Sequence, residues 1–158
     1  MSDPILERVN LSLDHASLLL ESYSKLLDRN LLDATPELSL EAAAAALDNA
    51  PFALMFHNTA ADPIFCYGNR TTLKLFEMSF ETFTQMPSRL SAEPENREAR
   101  AALLHRVAER GYIDDYSGIR ISATGRRFRI LRATVWNLVD ENMNVKGQAA
   151  MFKDWEYL

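Results

Sequence analysis

Cysteine, glycine and long apolar runs are all scarce in this sequence, and each scarcity excludes a class of protein. The single cysteine, Cys66, excludes an internal disulfide and a metal site built from several thiolates. Only five glycines occur, and none belongs to a phosphate-binding loop or a nucleophile elbow. No apolar run reaches the ~18 residues of a membrane-spanning helix, and the first residues do not resemble a secretory signal. We therefore expect a soluble, cytoplasmic protein without a membrane partner.

Positive charge is also scarce, because the sequence has 17 basic and 22 acidic residues and a net charge of −5 at pH 7. A surface that binds nucleic acid needs excess positive charge to contact phosphates. We therefore expect no nucleic-acid partner. The sequence also has no spaced His/Cys/Asp cluster of metal-ligand type and no serine-hydrolase motif. It predicts a protein that is not an enzyme, with no catalytic residue and no metal site.

The 158 residues fit one domain with an N-terminal extension. Apolar residues spaced three and four apart over 6–27 predict an amphipathic helix that begins near Asp3-Pro4. Thr35-Pro36 predicts the start of a second helix. We divide the chain into an extension, 1–44, and a domain, 45–158. The helices of the extension either cover their own domain or form a dimer interface, and the pattern leaves both open.

The domain reads as strand, strand, several helices, then three strands. The predicted elements are strands 52–58 and 64–67, short helices capped by Asn69 and Ser79, a longer helix from Pro94 to Gly111, and strands 113–122, 126–139 and 148–153. Helices gathered on one side of an antiparallel sheet make an α+β domain. The strand 126–139 is apolar on both alternate sets near its middle, so we expect both faces of the sheet to be covered.

Several motifs spread over residues 45–155 together resemble PAS domains, and most closely the bacterial MEKHLA-type proteins. The motifs are 67–70 (Tyr-Gly-Asn-Arg), 87–94, 111–122, 125–128, 135–138 (Val-Trp-Asn-Leu) and 147–150 (Gly-Gln-Ala-Ala). The resemblance implies a PAS-like five-stranded antiparallel sheet with short helices on one face, and a sensor or ligand-binding module. A similar domain ends certain plant homeodomain-zipper regulators. This chain has neither a homeodomain nor a basic zipper, so DNA binding does not carry over.

Cofactor expectations follow from comparing this chain with PAS cofactor sites. The light-sensing PAS type needs a cysteine after the short central helices, and 88–94 contains none, so we expect no cysteinyl-flavin chemistry. Cys66 lies on the second predicted strand, where a free cysteine is usually a small buried hydrophobe. Haem is disfavoured because His105 lies off the apolar side of its helix. A flavin bound without a covalent bond stays open but is also disfavoured.

Candidate ligand-binding residues include four aromatic side chains, Phe56, Tyr67, Phe76 and Trp136. Small-molecule sites are mostly apolar with a few placed polar groups, so these rings could line a cavity between sheet and helices. Aromatics at this spacing equally fill a core. Arg89 and Glu93, in the loop over the sheet, could orient a ligand or tie the helices together.

Arg132 is the last candidate. Strict strand alternation places it with Ile130, Thr134 and Trp136 on an apolar face, where an unpaired charge would be costly. It therefore either binds a ligand or finds an acid. The arginine cluster of 120–132, to which it belongs, could grip an anion or form a solvated face that pairs with acids such as Asp114.

The sequence therefore predicts a small-molecule or cofactor sensor, in which an occupied pocket shifts strand and helix packing. We expect a homodimer, formed through the N-terminal helix and the outer face of the sheet, and a separate signalling partner. The alternative is a protein–protein interaction or dimerisation module with a filled core and no ligand.

Overall fold

The computed structural model describes residues 10–32, 38–91 and 97–158. At its centre is an antiparallel sheet with the order β2-β1-β5-β4-β3, and a sixth strand, β6, also pairs with β4. The strands are β1 Ala53–His57, β2 Phe65–Gly68, β3 Tyr112–Ile121, β4 Arg127–Val139, β5 Val145–Phe152 and β6 Asp154–Tyr157. The predicted α+β, PAS-like arrangement is confirmed. The short strand β6, which the sequence analysis did not predict, continues the line of β5 along β4.

Helices precede the sheet and fill the connection between β2 and β3. They are α1 Leu13–Leu27, α2 Leu40–Asp48, α3 Arg70–Phe76, α4 Phe80–Phe83, a 3₁₀ turn Ser88–Ser91 and α5 Arg97–Arg110. The side chains of Asn69 and Ser79 accept the backbone N–H of the third residue beyond them, as predicted. Ser12 and Ser39 cap α1 and α2 in the same way. The predicted helix starts at Asp3-Pro4, Thr35-Pro36 and Pro94 lie outside the described residues.

The sheet has helices on both faces. We call outer the face covered by α1 and α2, where Leu54, Phe56 and Trp136 meet Leu19 and Tyr23 in one buried cluster. We call inner the face covered by α3, α4, the 3₁₀ turn and α5, where further buried clusters form. The two apolar sets along the middle of β4 therefore each bury against a different layer of helices.

A bulge in β4 interrupts the strand alternation. Ile130 pairs with Gly118 and Ala133 pairs with Tyr116, so three steps on β4 (130 to 133) face two on β3 (118 to 116). Arg132, with φ 50°, lies in the extra stretch. An extra residue exchanges the faces of the strand. Ile130 therefore lies on the inner face together with Ala133, and the expectation that Arg132 shares a face with Ile130 is wrong, because Arg132 lies beside Thr134 on the outer side.

Candidate functional site

The inner face encloses a cavity of about 60 Å³ between the sheet, α3, the 3₁₀ turn and α5. Apolar side chains from the sheet, α3 and α5 dominate its lining, among them Met55, Phe65, Phe76, Leu103, Ile130, Ala133, Val135, Ala150 and Phe152. On β4 the lining residues Ala133 and Val135 alternate, because side chains on one face recur at every second residue, whereas β1 and β5 each contribute three consecutive residues, 55–57 and 148–150. The register of these strands thus decides which residues can meet a ligand.

Arg120 is the charged side chain in this lining. It lies on β3 opposite Phe128 and is only 8% exposed. Its Nη1 donates to the carbonyl oxygen of Ile119 over 2.9 Å, and its guanidinium carbon lies 5.5 Å from the centre of the Tyr116 ring. Such a stacked arrangement stabilises a guanidinium within an apolar wall.

Gly118 makes room for the Tyr116 ring. A Cβ built on Gly118 would lie within van der Waals overlap of the Tyr116 phenol oxygen. The ring therefore lies across a position without a side chain and reaches the guanidinium of Arg120, two residues further along β3. The local sequence Tyr-Ser-Gly-Ile-Arg, 116–120, thus builds one wall of the cavity.

Three uncharged or weakly basic polar side chains complete the lining, and each has a partner within the protein. Ser91 Oγ donates to the carbonyl oxygen of Ser88 over 2.7 Å, and a ring nitrogen of His57 lies 2.8 Å from the carbonyl oxygen of Asn58. Gln148 Nε2 lies 3.5 Å from Asn137 Oδ1. Among the described lining residues, the polar group with the most spare hydrogen-bond donors is therefore the guanidinium of Arg120.

The aromatic candidates from the sequence are divided between the two faces of the sheet. Phe56 and Phe76 both line the cavity, although Phe56 packs mainly in the outer cluster. Tyr67 and Trp136 lie in the outer cluster, beneath the N-terminal helices, and do not line the cavity. The structure thus brings Phe56, Tyr67 and Trp136 together on the outer face, whereas Phe76 is apart from them because it lies on α3, which covers the inner face.

The two arginine candidates lie on the surface. Arg89 Nε lies 3.1 Å from Asp62 Oδ1, with about half of each side chain exposed. Arg132 Nη2 lies 2.9 Å from Asp154 Oδ2, and its side chain is 74% exposed. Arg132 therefore pairs with an acid, which is one of the two outcomes expected for it. The acid lies on strand β6, and the pair is exposed to solvent. Glu93 lies outside the described residues.

The sequence analysis treated Arg120 only as one member of the arginine cluster. A local signal was present in the strand alternation. Arg120 falls on the same side of β3 as Tyr116 and Gly118, and not with the arginines at the exposed end of the hairpin. The set of Ile119 and Ile121 on the other side of the strand is apolar, and it obscured this signal. Only the packing of α5 against β3 shows which set is enclosed.

A second buried polar group joins α2 to β2 and α3 on the outer side. Tyr67 Oη donates to Asp48 Oδ1 over 2.6 Å, and Arg70 Nε lies 3.6 Å from Asp48 Oδ2. Burial, followed by the hydrogen bond to Asp48, raises the pKa of Tyr67 far above its usual range. This group fixes the end of α2 on the domain.

The geometry of the cavity and the described side chains can be tested for their fit to a flavin or a metal ion. A flavin ring system is larger than the cavity of about 60 Å³ in this conformation. The described lining contains no cysteine. Cys66 instead occupies a bulge of β2, and burial raises the pKa of its thiol. Within 10–32, 38–91 and 97–158, no group of three or more His, Cys, Asp or Glu residues could hold a metal ion.

None of the helices in the described parts of the chain is both long enough and apolar enough to cross a membrane.

Similar solved structures share the fold. The PAS domain of a protein from Colwellia psychrerythraea superposes with a TM-score of 0.62 at 18% identity, covering 70% of this chain and 92% of that one. A light-oxygen-voltage domain studied with a flavin analogue superposes with a TM-score of 0.59 at 16% identity, covering 73% of this chain and 83% of that one. At these identities the likeness concerns the fold alone.

Curated relatives are plant homeobox-leucine zipper proteins. ATHB-9 of Arabidopsis thaliana is 25% identical over 100 residues, and HOX10 of rice (Oryza sativa) is 27% identical over 97 residues. These matches cover 63% and 61% of this chain but only 12% and 11% of the relatives, so this chain matches about an eighth of their length. Both relatives are plant proteins and give no support to the narrower resemblance to bacterial members.

The family comparison covers most of the chain. The MEKHLA domain model matches residues 13–157, from the first residue of α1 to the last residue of β6. The chain therefore belongs to the MEKHLA domain family.

Proposed function

We propose that this chain is a PAS-like sensory domain that binds a small molecule in the inner cavity and passes its presence to the N-terminal helices on the outer face. The observation that carries the proposal is the position of β4 between the inner cavity and the N-terminal helices. Ala133 and Val135 of this strand line the cavity, whereas Trp136 and Leu138 lie in the outer cluster with α1. A ligand that displaces the first pair must move the backbone that carries the second.

Two contacts couple β4 to α1. Ser22 Oγ donates to the carbonyl oxygen of Val139 over 3.0 Å and accepts from the N–H of the same residue over 2.8 Å. The rings of Tyr23 and Trp136 meet edge to face, with 5.0 Å between their centres. Since these groups are buried, a shift of β4 either carries α1 along or breaks the contacts. Ligand binding would then shift the population of docked α1.

The proposed function is binding and signalling rather than catalysis, and the output is a protein contact. The outer face of the sheet is already covered by α1, so the homodimer that we propose uses the exposed side of this helix, where Leu13 is 42% exposed. A separate signalling partner could use the same side. Either contact would respond to the docking of α1.

A second candidate function is an interaction module that binds no ligand. The small size of the cavity, about 60 Å³, favours this candidate, because a few water molecules could fill such a space. The two functions differ in whether the cavity has an occupant, and this difference can be measured.

The first experiment is native mass spectrometry and an absorption spectrum of the purified full chain, followed by a thermal-shift screen of small molecules. Three proteins are compared: wild type, Ala150→Leu, which adds three carbon atoms to the cavity wall, and Ala101→Leu, which adds them on the exposed side of α5. We expect ligands that stabilise wild type and Ala101→Leu and lose their effect on Ala150→Leu. Stabilisation that survives unchanged in Ala150→Leu would place the ligand elsewhere and overturn the proposal.

A fluorescence measurement tests the transmission to α1. The chain has two tryptophans, so Trp155→Phe leaves Trp136, which touches Tyr23 of α1, as the single reporter. We expect a ligand found in the screen to change the emission of Trp136. A ligand that binds in the cavity and leaves this emission unchanged would refute the coupling. A bare polypeptide mass, together with no stabilising ligand, would favour the interaction module.

A further inference from the structure

The charge of Arg120 has no acidic partner among the described residues, whereas six surface arginines have one. Six arginines lie within 4.0 Å of a carboxylate oxygen, and their side chains are 42% to 74% exposed: Arg29, Arg70, Arg89, Arg106, Arg129 and Arg132. Arg120 is 8% exposed, and no ion pair links it to a carboxylate in the described parts of the chain. The most buried arginine of this comparison is thus the one without an anion.

Burial of a cation without an anion is unfavourable, and the described contacts of Arg120 compensate for it only in part. The carbonyl oxygen of Ile119 satisfies one of its donors, and the Tyr116 ring provides a cation–π contact. A guanidinium has five N–H donors in a planar fork, so several remain for the cavity that Arg120 lines. The surroundings thus favour a negatively charged group at this position.

We propose that the ligand of the inner cavity is a small organic carboxylate with a short apolar tail, held through its carboxylate by Arg120. This proposal rests on the proposed function and adds the chemical class of the ligand. The planar fork of arginine matches the two oxygens of a carboxylate, which it binds by two parallel hydrogen bonds. Most of the remaining wall is apolar, with Phe65, Phe76 and Ile130 among its members, and suits a short hydrocarbon or aromatic tail.

The size of the cavity limits the tail. With about 60 Å³ in this conformation, the site accepts an anion of a few non-hydrogen atoms, and a larger one only after the helices move outward. Movement of α3 or α5 on binding is the kind of change a sensor requires. Gly118 and Tyr116 hold the guanidinium in place, so the anion-binding end of the site is built in advance.

The experiment compares carboxylates with their uncharged amides on the purified full chain. Sodium acetate, butyrate and benzoate are titrated against acetamide, butyramide and benzamide at constant ionic strength, and affinities are measured by calorimetry or by the shift of the melting temperature. Sodium chloride controls for ionic effects. We expect at least one carboxylate to bind at least about tenfold more tightly than its amide, since a charge-assisted bidentate pair is lost with the amide.

Variants of Arg120 and Arg132 test which residue causes the preference for carboxylates over amides. Arg120→Gln should reduce carboxylate affinity by at least about tenfold and abolish the preference over the amide. Arg120→Lys, which keeps the charge but not the fork, should retain part of it. Arg132→Gln, in an exposed ion pair outside the cavity, should leave it unchanged. If Arg120→Gln does not fold, the comparison of wild type, Arg120→Lys and Arg132→Gln still decides the question.

The outcomes separate this proposal from the proposed function. Equal affinity for carboxylate and amide, no binding of any carboxylate at millimolar concentration, or a preference that survives in Arg120→Gln would overturn the anion site. If uncharged molecules nevertheless bind wild type and are lost in Ala150→Leu, the sensory function stands with a neutral ligand. Carboxylate binding that persists unchanged in Ala150→Leu would show that the carboxylate binds elsewhere and would overturn the anion site, while the sensory function would still be decided by the neutral ligands.

Discussion

The two faces of the sheet differ in how completely they are filled. On the outer face, large side chains such as Trp136 and Tyr67 are at most 1% exposed, and aromatic rings meet edge to face across the layer. On the inner face, a cavity of about 60 Å³ remains and holds the partly satisfied cation of Arg120. A filled face stabilises the fold, whereas an incompletely filled face that also holds a buried charge can bind a ligand. The difference teaches that aromatic content alone does not mark a binding site.

Removal of the largest outer side chain should produce the largest effect. Trp136→Ala should lower the free energy of unfolding by about 3–5 kcal/mol, because it leaves a large hole in a closely packed layer. Denaturant titration measures this. Trp155→Ala is the matched control, since Trp155 is only half-buried on β6, and it should cost clearly less. Similar losses for the two variants would contradict the contrast in packing.

The buried hydrogen bond on the outer side should come next. Tyr67→Phe leaves Oδ1 of the buried Asp48 without its donor and should cost about 1–3 kcal/mol of unfolding free energy at neutral pH. Tyr157→Phe removes the same hydroxyl from an exposed ring and should change stability little. A loss no greater than that of the control would show that the bond to Asp48 adds nothing.

The same residue predicts an alkaline pH dependence. The pKa of Tyr67 in the folded chain is raised above the ~10 of an unfolded tyrosine, so its stabilising contribution is present below about pH 10 and is lost at higher pH. Unfolding free energies measured at neutral pH and above pH ~10 should therefore fall more steeply for wild type than for Tyr67→Phe. Parallel profiles would refute the raised pKa.

Two adjacent alanines on β5 test the contrast with the smallest change in sequence. Ala149 belongs to the filled outer cluster and only borders the cavity, whereas Ala150 packs against the inner clusters beside the cavity. Ala149→Leu should cost about 1–3 kcal/mol through overpacking, and Ala150→Leu less than about 1 kcal/mol because the cavity takes the added atoms. Melting temperatures of the two variants give the comparison. Equal losses would mean that the inner face is as full as the outer.

The smallest effect is expected outside both faces, in the turn between β4 and β5. Hydrogen bonds, first from the backbone of Asn144, lower the pKa of Asp140. Its stabilising contribution is therefore present above about pH 4 and lost as the pH falls through the lowered pKa. Asp140→Asn should slightly lower the melting temperature at pH 7, and the difference should vanish in acid. Glu141→Gln, in the same turn, removes a charge but none of these hydrogen bonds and should leave the melting temperature at pH 7 nearly unchanged.

Local signals were enough to predict the order of the elements except for the short strand β6. Asn69 and Ser79 cap the helices that were expected of them, and Gly125, with φ 87°, lies in the predicted connection between β3 and β4. These features depend on residues a few positions apart, so the sequence shows them directly. The site was harder to predict, because its members come from several elements and their faces depend on register.

The sequence by itself determined the α+β order, the caps, the turns and the covering of both sheet faces, since each follows from short-range pattern and composition. The tertiary structure alone decided which residues meet in the cavity. Bulges at Cys66 in β2 and around Arg132 in β4 each insert one residue and exchange the faces beyond it. Only the assembled layers then show that Arg132 reaches Asp154 in solvent while Arg120 is enclosed, because burial is a property of packed neighbours and not of one strand.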